Sequence, residues 1–316
     1  MTGKRKRLPG DARSLLALAG IVLLAIVFSP AASDGSRIFL QAGNLTDILR
    51  QISIIGIISL GMTLVILTGG IDLSVGSILA LSTSLAAMWL TGAGQEPGYG
   101  LRIFYALGAL NGAAVAALDI QPFIVTLASM IGIRGLAKWL THNANIDIGF
   151  GRDVAAAFAE VFRRKPLVIG SYAALAAVFW ALLARTVFGR HVRAIGDNET
   201  AARYAGLPIR RVKVIVYALS GLLAGFAGVL YAAENHQGNP NAGVAYELDA
   251  IAAVVIGGTR LSGGKGSITG TIVGTLIMGV LTNMLRLNNV DSNVEMMVKA
   301  VIIVLAVAVQ RQRRTD

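Results

Sequence analysis

Arg185–Lys213 reads RTVFGRHVRAIGDNETAARYAGLPIRRVK, a long basic segment set between apolar runs that each look able to cross a bilayer. Seven of its residues are Lys or Arg. A compact helix signal sits inside it. Asp197 or Asn198 is placed to cap an N-terminus, Glu199 suits the first turn, and Ala201-Ala202-Arg203-Tyr204-Ala205 continues the helix. Gly206 stands where a C′ residue belongs, and Pro208 blocks continuation. A short capped helix on the basic face of a membrane protein has the form of a docking element for a cytosolic partner. An ordinary solvated loop whose charges only set topology has the same composition, and the pattern alone does not separate the two.

The apolar runs on either side set the class. Hydrophobic residues make up 55% of the 316 and charged residues only 14%, where a soluble domain carries roughly a quarter. The mean hydropathy is +0.67. This is the composition of an all-α polytopic membrane protein. The formal net charge of +11 could point to nucleic acid, but the bases sit at the ends of apolar segments and in the loops between them. That placement orients a chain in the membrane and attracts anionic lipid. Cysteine is absent, which removes disulfides, thiolate metal sites and Cys nucleophiles. His142, His191 and His236 lie far apart and show no metal-ligand spacing.

In chain order, a basic tail through Arg13 precedes a first apolar run, Leu15–Phe28, read as a retained helix in preference to a cleaved signal. Leu45–Thr68 and Ile71–Gly92 follow, separated by Gly69-Gly70 as a tight hairpin or a broken helix. Leu101–Leu118 is short, roughly 27 Å at 1.5 Å per residue, with Asn111 near its middle. After a turn at Asp119-Ile120-Gln121-Pro122, the fifth span runs to Thr141. Its Arg134 and Lys138 share one face and are expected to reach toward the nearer interface. Residues 142–165 form the longest outer loop. Leu167–Ala184, Val214–Ala233, the brief Leu248–Gly257, Ser267–Leu285 and Val294–Val309 complete ten spans.

Ten spans place both termini on one side, as cytoplasmic tails 1–13 and 311–316 around a permease domain 14–310, with 185–213 as its cytoplasmic loop. On that reading 17 of the 28 Lys and Arg lie at the inner face, and Arg163-Arg164-Lys165 is the main exception. Gly221 and Gly225 in the seventh span, and Gly266, Gly270 and Gly274 on one face of the ninth, have close-packing spacing. Packing within one subunit is preferred over a dimer seam. Gly69-Gly70-Ile71-Asp72-Leu73-Ser74 echoes Gly257-Gly258-Thr259-Arg260-Leu261-Ser262, which suggests two halves related by a parallel repeat, with chance as the alternative.

Catalytic chemistry is missing. GGTRLSGGKGS at Gly257–Ser267 fails the phosphate-loop pattern twice, because Gly266 follows Lys265 and Thr259 stands where the first glycine belongs. Its glycines suit a tight connection, so ATP would have to be hydrolysed by a separate subunit. Asp72, Glu247 and Asp249 have no catalytic His or Lys beside them. At helix starts they are expected to cap free N–H groups and face the positive dipole end, with solute contact as the alternative.

Four blocks, GMTLVILTGGIDLSVGSILAL (Gly61–Leu81), QPFIVTLASM (Gln121–Met130), FGRHVRAIGDNETAARYAGLPIRRVKVIVYALSGLLAG (Phe188–Gly225) and PNAGVAYELDAIAAVVIGGTRLSGGKGSITGT (Pro240–Thr271), resemble the ribose-type permeases of bacterial ABC sugar importers. The similarity covers nearly everything after residue 40. It implies a homodimer in the inner membrane, a cytosolic ATP-binding subunit that uses ATP-Mg, and a periplasmic sugar-binding protein. It implies no cofactor on this chain and no nucleic acid partner. Glu199, Ala202 and Gly206 match the family's cytoplasmic coupling motif, and Arg190, Asn198 and Arg203 are assigned to the same face. Asp72, Ser74, Asn111, Gln121, Glu247 and Asp249 are the candidates for the translocation path. The fourth span is shorter than the family pattern by two or three turns. The expected function is ATP-driven import of a monosaccharide. The other readings are the same importer type for another small polyol, an ATP-independent secondary transporter, and a polytopic membrane enzyme, against which the missing catalytic cluster argues.

Overall fold

The computed structural model describes residues 10–92, 100–118, 120–148 and 154–312. The tail 1–9, Asp119, Arg152, Arg313 and Arg314 lie outside the described residues. Within them the chain is a helical bundle. Its helices are α1 (Gly10–Val27), α2 (Ala42–Leu67), α3 (Val75–Leu90), α4 (Gly100–Ala117), α5 (Pro122–Leu140), α6 (Val154–Phe162), α7 (Lys165–Arg185), α8 (Val187–Asp197), α9 (Glu199–Tyr204), α10 (Ile209–Asn235), α11 (Tyr246–Ile256), α12 (Ile268–Leu287) and α13 (Ser292–Gln312). Two-residue strands β1 (Ile146–Asp147) and β2 (Gln237–Gly238) pair antiparallel. Five helices, α2, α5, α7, α10 and α12, are long and apolar enough to cross a membrane.

Helix starts follow local chemistry. Pro122 opens α5, where a missing N–H costs nothing. Ser267 caps α12 by accepting from the Gly270 N–H at 3.0 Å. Every residue of α2 from Gly56 to Leu67 is buried. A helix apolar all round belongs at the centre of a bundle.

Antiparallel to α2 runs α10. Arg50 meets Glu234 at 3.3 Å at one end, and a Cβ on Gly61 would meet the Ser220 backbone midway along. Opposite ends of the bundle can therefore be named: the docking end, after the docking expectation for α8 and α9 that lie there, and the distal end. The short α4 is not loosely held. Gly108 and Gly112 let it lie directly on α10, with no room for a Cβ against Tyr217 and Val214.

Two of the expected spans are half-helices. The third begins only at Val75, because residues 68–74 form a non-helical, mostly buried return. The eighth is the 11-residue α11, roughly 17 Å long and too short to cross. The N-termini of α3 and α11 meet inside the bundle, where a Cβ on Gly76 would collide with the Gly243 carbonyl and the Glu247 carboxylate. From there α3 runs to the distal end, with Ala87 beside Gly238, and α11 runs to the docking end, with Gly257 against Gly270.

A long helix, a non-helical return and a short helix thus occur twice, as α2–α3 and α10–α11, in opposite senses. This corrects the parallel repeat. The Gly-Gly echo marks two turns at the same end that touch each other, the Gly264 N–H donating to the Leu67 carbonyl at 3.0 Å. Similar glycine-rich turn chemistry, not a repeated unit, produced the match. The region 142–165 is also more than a loop, since its α6 packs Ala155 and Ala159 against Ile148, Ala87 and Ala232.

Candidate functional site

The docking end is built from local signals. Thr186 caps α8 through the Gly189 N–H at 3.3 Å. Of the two candidate caps for α9, Asn198 serves, its side-chain oxygen accepting from the Ala201 N–H at 2.9 Å. Past the last turn, Gly206 takes φ +76°. The Gly206 and Leu207 N–H groups return to the Arg203 and Ala202 carbonyls, each at 3.1 Å. A Cβ on Gly206 would meet nothing within 4 Å, so its left-handed backbone is what requires glycine.

Ala202 faces inward, while Arg190 and Arg203 face outward and Tyr204 is 88% exposed. Tyr204 drew no attention in the sequence, because nothing in the pattern says which face of a six-residue helix is free. Both Glu199 oxygens accept from Lys213 Nζ, at 2.9 and 2.8 Å, and Arg203 lies 3.6 Å from Glu199. The end of α8 rests on the neighbouring turns. Gly196 is pressed against Leu67 and Gly264, and Gly263 against Gly196 and Gly69, with no room for side chains.

Asp72, Ser74 and Asn111 come together in one buried knot. Asp72 Oδ1 accepts from the Ser74 N–H at 3.0 Å and the Ser74 hydroxyl at 2.6 Å. Its Oδ2 accepts from the Ser220 hydroxyl of α10 at 2.9 Å. Asn111 of α4 donates to Ser74 Oγ at 2.9 Å. Asp72 therefore does not cap the free N–H groups of α3. It closes an Asx-type turn just ahead of that helix and ties the return to α4 and α10. Gln121 lies apart from this knot, exposed at the docking end before α5.

Glu247 and Asp249 both lie in the first turn of α11, yet neither caps it. The position before the helix is Ala245, with φ +67° and no side-chain cap. The two carboxylates diverge. Glu247 faces Gly76. On the distal side, Arg134 does not reach outward but donates to the Pro240 and Ala242 carbonyls of the second return, at 3.2 and 2.5 Å. Asp249 turns to α13, where Lys299 Nζ lies 3.3 Å away and also meets Glu295 at 3.0 Å. Arg286 and Thr282 of α12 complete the network on Glu295, at 3.2 and 3.1 Å. These groups line a cavity of about 320 Å³ among α2, α11, α12 and α13, together with Gln51 and Thr275. Asp249 was named from the sequence, whereas Glu295 was not, and its i,i+4 spacing from Lys299 in an apolar run was the signal that could have found it.

The glycines pack helices within the subunit. Gly270 and Gly274 bring α12 onto Gly257 and Ala253 of α11. Gly221 and Gly225 are buried in α10, and Ser82 of α3 donates to the Gly225 carbonyl at 2.6 Å. Gly266 is not on the α12 face, because it precedes the helix and sits against Thr259. Among the described residues no group of three or more acidic or histidine side chains is placed to hold a metal. The arrangement offers hydrogen-bonding and charge-paired groups in an apolar frame.

Residues 44–307 match the family described as branched-chain amino acid transport system / permease component. The ribose import permease protein of Escherichia coli is 42% identical over 311 residues, 96% of this chain and 94% of that protein. The ribose import permease protein of Bacillus subtilis is 41% identical over 319 residues, 98% of this chain and 96% of that protein. The L-arabinose ABC transporter permease protein of Azospirillum brasilense is 35% identical over 322 residues, covering 98% and 92%. No solved structure matches.

Proposed function

Because this chain belongs to the branched-chain amino acid transport system / permease component family, we propose that it is the membrane-spanning subunit of an ATP-driven importer for a monosaccharide. It is a multi-pass inner-membrane permease of the ribose type. Two copies would pair in the membrane, a cytosolic subunit would hydrolyse ATP-Mg, and a periplasmic protein would deliver the sugar. With both ends of the chain on the docking side, α9 faces the cytosol. Relatives named for ribose, L-arabinose, D-allose and fructose support a sugar as the solute.

The observation that carries this reading is the docking surface. Helix α9 is independently capped at both ends, shows Arg203 and Tyr204 outward, and is bound through Glu199 to Lys213 on α10. In turn α10 lies against α2, α3 and α4, the helices around the Asp72 knot. A push on α9 is delivered to the centre of the bundle, which is what alternating access driven from outside requires. Coupling is assigned to Arg190, Asn198, Glu199, Ala202, Arg203, Tyr204 and Gly206. Solute contact on the distal side is assigned to the Asp249–Lys299–Glu295 cavity, and the Asp72 knot serves to hold the return.

Co-purification in mild detergent, followed by mass spectrometry, tests the reading. An ATP-binding subunit should come down with the parent chain and be lost in Glu199→Arg. A chain recovered alone that moves sugar in liposomes without ATP would overturn it in favour of a secondary transporter.

A further inference from the structure

At the docking end, the last turn of α4 and the start of α10 border a cavity of about 490 Å³. Arg203, Arg210, Arg211 and Lys213 line it, against one carboxylate, Glu199. That carboxylate already serves Lys213 and Arg203, at 2.8 and 3.6 Å. Arg210 and Arg211 are exposed and make no ion pair among the described residues. Two guanidinium groups therefore stand at the cavity with their charge unanswered. Guanidinium is the side chain that pairs with phosphate through two parallel N–H donors.

The opposite wall is apolar, formed by Val115, Ala116 and Ala117 of α4. From Ala117 an exposed stripe continues along one face of α4 through Leu110, 64% exposed, to Ala106. On α10, Ile215 is exposed one turn beyond Arg211. Gly112 lies against Val214 and Gly108 against Tyr217, which sets Leu110 and Ile215 at the same depth. Along both helices, then, cations at the end of the bundle give way to exposed apolar surface. A soluble anion or an acidic protein would use the cations and leave the stripe bare, whereas a phospholipid uses both.

We propose that this cavity holds the headgroup of an anionic phospholipid, with its phosphate on Arg210 and Arg211 and its acyl chains along Leu110 and Ile215. Basic pockets between membrane helices recognise anionic headgroups in this way. The inference rests on the chain spanning a membrane. The importer reading adds only that the lipid belongs to the cytosolic leaflet.

The full-length chain in neutral detergent is mixed with equal amounts of phosphatidylglycerol and phosphatidylcholine, and bound lipid is counted by native mass spectrometry. Phosphatidylglycerol should be retained in preference. Arg210→Gln with Arg211→Gln should weaken its binding about ten- to thirtyfold, the weight of two cations beside an anionic headgroup, and leave phosphatidylcholine unchanged. Arg163→Gln with Arg164→Gln removes the same charge at the distal end and should change neither lipid. Equal retention of the two lipids by the parent chain overturns the site, as does loss of the preference in the distal variant. Displacement of the lipid by millimolar inorganic phosphate also overturns it, because the cavity would then take a free anion. The chain has no native cysteine, so Leu110→Cys tests the stripe for a second copy. Disulfide-linked pairs in proteoliposomes would give the stripe to that copy and not to lipid. Recovery of an ATP-binding subunit is measured separately. Its loss from the Arg210, Arg211 variant with the lipid preference intact would assign the two arginines to the protein partner. A subunit recovered with the parent chain, without any lipid preference, removes the lipid site and leaves the importer reading. Lipid preference with no such subunit does the reverse.

Discussion

Lys213 Nζ lies 2.8 Å from Glu199 Oε2 and 2.9 Å from Oε1, joining α9 to the second turn of α10. The pair is part-exposed, with side chains 12% and 37% accessible. Exposed pairs of this kind contribute about 0.2–1 kcal/mol, too little to decide folding. Its proposed value is mechanical, because α10 runs the length of the bundle.

Glu199→Arg should therefore leave an inserted, folded protein that has lost its partner. Thermal unfolding in detergent should shift by no more than about 1 kcal/mol equivalent, while ATPase recovery and sugar uptake collapse. Exchanging the charges, Glu199→Lys with Lys213→Glu, should restore part of the coupling. Parent-level uptake in the single variant would remove the latch role.

Asp72 takes the opposite test. Fully buried and accepting three hydrogen bonds, it is expected to matter first for stability. Asp72→Ala deprives the Ser74 and Ser220 hydroxyls of their acceptor, at a cost of about 1–3 kcal/mol. Ser220→Ala should cost about 1–2 kcal/mol. Denaturation in mixed micelles reads both. Unchanged stability with lost uptake would place Asp72 on the solute path instead.

Glycine substitutions should separate packed from open positions. A side chain at Gly274 would run into the Ala253 carbonyl, so Gly274→Leu should cost at least about 1–3 kcal/mol and most of the folded yield. Gly170 in α7 has nothing within 4 Å, and Gly170→Ala should stabilise by about 0.5–1 kcal/mol. Size-exclusion yield and unfolding temperature report the contrast. If the protein runs as the proposed dimer, loss of that dimer in Gly170→Ala would mark α7 as the face between copies.

Lys299 is the hub of the distal network. Lys299→Met leaves Asp249 without its cation and Glu295 with Arg286 alone, and removing one partner of a buried pair costs about 3–5 kcal/mol. Adding Asp249→Asn should recover much of the stability without recovering uptake. Full recovery of uptake in the double variant would show the network to be structural only.

Much of the fold was legible because hydropathy reports burial or lipid contact segment by segment. The long helices α2, α5, α7, α10 and α12 fall where the apolar runs predicted them. The break at Gly69-Gly70 and the brevity of the eighth span were legible, but where each half-helix begins was not, because Leu73, Ala242 and Ala245 are as apolar or small as the helices they precede. Composition does not distinguish a helical turn from an extended return when both are covered by protein.

Within the candidate site, Asp72, Ser74 and Asn111 were named from the sequence, Asp72 first as a structural group with solute contact as the alternative, and the structure brings them together in one hydrogen-bonded knot. Glu247 and Asp249 were paired by proximity in sequence and are separated by it in space. Two residues apart on a helix, they point to different neighbours. Gly266 was grouped with Gly270 and Gly274 by spacing alone, and the helix begins after it.

What the sequence by itself determined is the membrane class and the short helix α9, with a cap at Asp197 or Asn198 and its Gly206 terminator. Each of those rests on residues within a few positions of one another or on the mean character of a segment. The tertiary structure alone decided the meeting of two half-helices, the tie between Asp72 and Ser220 across 148 residues, and the joining of Glu199 to Lys213. A carboxylate or an ammonium in a sequence states only that a partner is needed. Which partner it finds depends on how the helices pack, and small residues such as Gly61, Gly76 and Gly112 set that packing through close approaches between segments far apart in the chain.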